Sequence, residues 1–136
     1  LVEAMQQASR ENQVELSESM ARRMTQGHSR FAALVWAYLH NSHLERAENG
    51  CVVAALASEM TRQGDAVQQE ARRRVTYLVD FVRSTLPEGA DPLQAEVITV
   101  TMVGALQLAR TLGGTSGRAL LAQTREALIL RHDAPS

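Results

Sequence analysis

Apolar residues recur along this chain at intervals of three and four, and breakers divide them into six segments. In the first, residues 1–24, Val2, Met5, Ser9, Asn12, Leu16, Met20 and Met24 share one face of a 3.6-residue period. Gly27 follows as a C′ glycine. The second helix is expected over 29–40, with Phe31, Leu34, Val35, Tyr38 and Leu39 as its apolar side. A polar connection over 41–49 leads to a short third helix that opens near Gly50-Cys51 and carries Val52, Val53, Leu56 and Met60. Gly64 stops it, and Asp65 with Gln68 reads as a capping box for the fourth. The fourth has the cleanest stripe: Val67, Ala71, Val75, Leu78, Val79, Val82 and Leu86, ended by Pro87 and Gly89. Asp91-Pro92-Leu93-Gln94 supplies an acidic cap, a first-turn proline and a third-position glutamine for the fifth helix. Gly113-Gly114 closes that helix, and Ser116 is expected to cap a sixth running to about Arg131. No internal repeat or low-complexity tract appears.

The fifth helix stands apart. At about 100° per residue, Ile98, Met102, Ala105, Ala109 and Leu112 form one apolar stripe. Leu93, Val97, Val100, Gly104 and Leu108 form a second, leaving Glu96, Thr99, Gln107 and Arg110 on a narrow polar arc. A surface helix needs one apolar stripe, so two imply cover from both sides. Gly104 sits mid-helix, where glycine costs roughly 1 kcal/mol relative to alanine, as expected for close approach by another helix. The sixth helix adds Gly117, Leu120, Leu121, Thr124, Ala127 and Leu128. The expected fold is an all-α, six-helix orthogonal and antiparallel bundle whose last two helices pair with a second copy as an intermolecular four-helix bundle. A central core helix in a monomer is the competing reading.

Length and composition narrow the picture further. A chain of 136 residues fits one domain, 1–136, and buries enough surface to fold without disulfide or metal. Aromatic residues make up 4%, which suits helices packed on helices. All fourteen positive charges are arginine; with no lysine, a phosphate-loop lysine and a Schiff-base lysine are excluded. A net charge of −1 gives no nucleic-acid footprint. The single cysteine, Cys51, cannot form an internal disulfide, and a cytoplasmic setting is expected. No signal peptide is read, and the apolar run over 97–109 is shorter than the ~20 residues of a membrane span. Because Leu1 is not methionine and periodicity is already running at Val2 and Met5, an upstream segment is expected.

Two segments carry a family resemblance: Gly50-Cys51-Val52-Val53-Ala54-Ala55-Leu56-Ala57-Ser58-Glu59, and Met102-Val103-Gly104-Ala105-Leu106-Gln107-Leu108-Ala109-Arg110 followed by Gly113. With the helix order, they resemble the C-terminal domain of TetR/AcrR-type transcriptional regulators. The resemblance implies a homodimeric repressor in which this domain binds a small effector, while an N-terminal helix-turn-helix binds operator DNA. No helix-turn-helix is present in this chain, so residues 1–24 would be the helix linking to it. Specific DNA binding is expected only through that absent domain. A stand-alone helical small-molecule-binding or carrier protein without a DNA partner is the alternative.

The candidate effector pocket joins Met5, Ser9, Asn12, Met20 and Met24 of the first helix with Phe31, Trp36, Tyr38, Cys51, Tyr77, Phe81 and Met102. Methionines adapt to irregular shapes and pockets are mostly apolar with a few placed polar groups, so a small apolar or aromatic effector is expected. Equally, these residue types are ordinary core fillers. The expected dimer interface is Leu93, Val97, Val100, Gly104 and Leu108 with Gly117, Leu120, Leu121, Thr124, Ala127 and Leu128. Cys51 at a helix start could be a sensor thiol, though free cysteine is more often a small buried residue. His40, His43, Glu45 and Glu48 have metal-like spacing but run into a polar connection, and no metal or cofactor is expected. Arg72-Arg73-Arg74 reads as a solvated face. Gly114-Thr115-Ser116-Gly117 does not match a nucleophile elbow, and no catalytic set or dinucleotide fingerprint is found; an enzyme is not expected.

Overall fold

The first helix closes on a Schellman motif. Gly27 takes φ 98°, a conformation costly for residues with a Cβ, so that its N–H donates to Met24 O and the His28 N–H to Arg23 O. In the computed structural model the described residues are 2–40 and 64–133, and they form five helices with no strand among them. These are α1 (Val2–Thr25), α2 (Arg30–Tyr38), α3 (Asp65–Thr85), α4 (Gln94–Leu112) and α5 (Gly114–His132). The all-helical class is as expected. The expected third helix, Cys51 included, lies outside the described residues, so α3, α4 and α5 correspond to the fourth, fifth and sixth helices of the sequence pattern.

The remaining caps follow local chemistry, with three corrections. Ser29 caps α2: its Oγ accepts from the Ala32 N–H at 3.0 Å while its hydroxyl donates to Asp133 Oδ1 at 2.6 Å, tying the start of α2 to the end of α5. Asp91 is not the cap of α4: it accepts from the Leu93 N–H at 3.0 Å in the preceding turn, and Leu93 holds the cap position without a side-chain acceptor. Asp65 does not cap α3, because Gly64 holds that position and Asp65 is already helical; its carboxylate favours the helix dipole instead. Likewise Ser116 lies inside α5, which starts at Gly114. The single residue Gly113, at φ 69°, donates to Ala109 O and accepts from the Gly117 N–H, ending one helix and starting the next.

The core forms around α2. Phe31, Ala32, Ala33, Leu34, Val35, Ala37, Tyr38 and Leu39 are all buried, so this short helix is covered nearly all round rather than on one side. It packs on α1, α3 and α5, and α5 in turn lies against α4. Met20, Val82, Ala95, Ile98, Met102, Leu106, Ala109, Leu121 and Leu128 complete the same cluster. Thr85 and Thr99 are buried without cost to hydrogen bonding, since their hydroxyls donate to Val82 O and Ala95 O. Thr99 therefore does not belong to the polar arc of α4. A second, smaller cluster joins Met5 of α1 to Val67 and Ala71 of α3, with Val2 against it. Beside it Glu70 is buried, held by Arg73 (3.0 Å), Arg74 (3.5 Å) and Gln6 (3.5 Å). Burial pushes its carboxyl up, but the hydrogen bonds from Arg73 and Gln6 and the two arginine charges outweigh that and lower it below the ordinary 4.5. The α3 stripe is less regular than expected, for Val75 is exposed.

Candidate functional site

Folding separates the two stripes of α4. Ile98, Met102, Ala105 and Ala109 turn inward, joined by Ala95 and Leu106, whereas Leu112, at the helix end before Gly113, is exposed. On the other side Leu93 (70% exposed), Val97 (60%), Val100 (71%) and Leu108 face outward. Gly104 is half-exposed between them, and a Cβ built there would meet no described atom within 4 Å. Scattered exposed leucines need no explanation, but a continuous apolar row on one helix does. By length and apolarity α4 would also suffice to cross a membrane, a test that core helices of water-soluble proteins pass as well.

The α5 residues expected at the interface divide. Gly117, Leu121 and Leu128 are buried in the chain's own core, because they lie on the side of α5 that faces inward. Leu120 and Thr124 are half-buried, and Ala127 is exposed. The outward side of α5 instead carries Leu130, at 80% exposure, which the sequence pattern does not single out.

The residues expected to line an effector pocket are distributed over the fold. Met20, Phe31, Tyr38 and Met102 pack together in the main cluster, and Met5 lies in the smaller one. Ser9 is buried, Asn12 half-buried, and Met24 exposed. Tyr77 is exposed and stacks on the half-buried Phe81, with ring centroids 6.2 Å apart and planes 6° from parallel. Cys51 lies outside the described residues. One expected residue, Trp36, sits in a setting with chemistry of its own.

Trp36 is the only half-buried residue between Phe31 and Leu39. The Schellman turn brings Arg23 and His28 to it: the Arg23 Cζ is 4.8 Å from the indole centroid, and the His28 ring is 6.4 Å away. From α5, the Arg125 Cζ lies 4.1 Å from the same centroid, and its Nη1 donates to Leu39 O at 2.7 Å. A guanidinium so close to an indole is attracted by the ring's quadrupole. Among the described residues neither arginine forms an ion pair, and the buried Nε atoms of both lack a hydrogen-bond acceptor. Burial, then the Arg22 charge, lowers the pKa of Arg23. Burial, then the Arg23 charge, lowers that of Arg125, with Glu126 opposing.

This arrangement has no signature along the chain. Arg23 looks like an ordinary cation at a helix C-terminus, and Arg125 like a surface residue of an amphipathic helix. The only signal was the presence of one tryptophan on a strongly apolar segment. Elsewhere the chemistry is sparse. Among the described residues no three His, Cys, Asp or Glu side chains converge as metal ligands; His40 is exposed, and His43, Glu45 and Glu48 lie outside them. Arg72 and Arg73 are exposed, and Arg74 reaches back to Glu70. Compared with family models, with curated proteins and with solved structures, the chain matches none.

Proposed function

We propose that this chain is the effector-sensing and dimerisation domain of a TetR-like transcriptional repressor, in which a small molecule bound here relieves operator binding by a domain outside this chain. The reading begins from the resemblance of 50–59 and 102–113 to that family. The observation that carries it is the outward row Leu93, Val97, Val100 and Leu108 around Gly104. Such a row is unfavourable in water unless covered, at about 25 cal/mol per Å² of apolar surface. A second copy is the proposed cover, since a two-fold axis places the same row on both partners and a palindromic operator needs two chains. Gly104 suits that role because nothing in the described chain approaches it, so the space its missing side chain leaves is open to a partner's backbone. The protein is cytoplasmic in this reading, and the effector is small and apolar or aromatic.

Two measurements test it. The reading frame upstream of the Leu1 codon should encode about 45–60 residues rich in basic side chains with a helix-turn-helix pattern; a frame without one refutes the repressor and leaves a stand-alone binding bundle. Light scattering should give the mass of a dimer for the chain and of a monomer or aggregate for Gly104→Arg. An unchanged dimer mass in the variant refutes the interface.

A further inference from the structure

The corner formed by the end of α1, the middle of α2 and the last half of α5 brings two guanidiniums together with no ion pair to either among the described residues. Arg23 and Arg125 both lie over Trp36, the His28 ring is beside the same indole, and Glu126 is the acidic group that acts on Arg125. Two guanidiniums resting on one indole repel each other, and partial burial withdraws the water that would screen them. In a folded protein such a pair is ordinarily bridged by a carboxylate, because guanidinium forks match oxyanions two bonds at a time. Here both Nε atoms are buried and donate to nothing. An unsatisfied buried donor is costly, and two on like-charged groups facing one ring ask for a shared acceptor.

We propose that Arg23 and Arg125, backed by Trp36, form a binding site for a small oxyanion, a carboxylate or phosphate group carried by a soluble ligand. Each Cζ lies within 4.8 Å of the same ring centre. An oxyanion shared by the two would accept about 2.9 Å beyond a nitrogen of each. The Leu39 carbonyl fixes Arg125 from behind, so part of the ordering cost is met before a ligand arrives. The site stands whether or not the chain is part of a repressor. Within that reading, it adds an acidic group to an effector otherwise expected to be apolar.

Trp36 is the chain's only tryptophan, so its fluorescence reports on the site without a label. The chain is titrated with sodium phosphate and, separately, with sodium benzoate, at an ionic strength held constant with sodium chloride. A saturable change in Trp36 emission with either probe is expected, and the probe that produces it distinguishes a phosphate from a carboxylate ligand. Arg23→Gln should weaken the binding about tenfold, the scale of one charge-assisted hydrogen bond. Arg23 makes no side-chain hydrogen bond among the described residues, so this variant should keep the native circular dichroism. Arg125→Lys keeps the charge but loses the fork, and should weaken binding as well. A folded protein that shows no saturable response to either anion overturns the site. So does a response that is the same in Arg23→Gln and Arg125→Lys as in the parent.

Discussion

Leu106 and Leu108 stand two residues apart on α4 and lead opposite lives: the first is wholly buried, the second 62% exposed. The same contrast repeats along the helix, Met102 against Val100 and Ala105 against Gly104. Side-chain chemistry does not distinguish the two sides, since both are aliphatic. Only the packing of α3 and α5 against one of them does. The inner side is explained by this chain alone. The outer side has no cover among the described residues, and the difference can be measured.

The largest effect should fall on the inner side. Leu106→Ala is expected to destabilise the fold by about 2–5 kcal/mol in urea denaturation, at any protein concentration, because it leaves a cavity in a closed core. Gly104→Ala comes next and separates the two explanations of that glycine. If only helix propensity matters, alanine stabilises the chain by about 1 kcal/mol and leaves its mass unchanged. In the proposed dimer it also weakens self-association, seen as a lower mass on dilution. Leu108→Ala should change monomer stability by no more than about 0.5 kcal/mol, its effect appearing instead as concentration-dependent melting. A large, concentration-independent loss from Leu108→Ala would show that the two sides are not different after all.

The smallest expected effect is a pH dependence at the far end of the inner packing. Burial, and secondarily the Arg131 charge, hold the imidazole of His132 below its ordinary 6.5, where it meets the Phe31 ring edge-on at 6.1 Å. The unfolded chain then takes up a proton at higher pH than the folded one. His132 therefore costs no stability above about pH 6.5, and stability falls as pH drops through that value. Melting temperatures at pH 7.5 and 5.5 should differ, and the difference should shrink in His132→Gln. Glu70 acts in a separate window, since its lowered carboxyl loses its stabilising charge only below the ordinary 4.5.

The helices were legible because period is local: each forms where apolar residues recur at helical spacing, even though α2 is buried nearly all round and Val75 leaves the α3 stripe, and the two stripes of α4 are visible on a helical wheel. Which of them faces inward was not, because that depends on partners far along the chain. The expected caps at Asp65 and Ser116 fall one and three residues late, because Gly64 and Gly113 take those positions, and Asp91 bonds in the turn ahead of the Leu93 cap rather than at the cap itself. The Trp36 corner was invisible beyond Trp36 itself. Its arginines come from opposite ends of the molecule and obey local helix rules where they stand. The expected pocket residues illustrate the same limit: a face shared on one helix does not say whether methionines line a cavity or fill a core.

The first helix is a lever as well as a wall. Its 24 residues span about 36 Å, and its end is pinned at the Gly27 turn beside Arg23 and Trp36. A tilt of about 5° at that pivot would carry the opposite end through about 3 Å. Among the described residues that end is held by Met5 and Val2 against Val67 and Ala71 and by the Gln6–Glu70 contact. Small displacements at the pinned end are thus amplified where the chain begins.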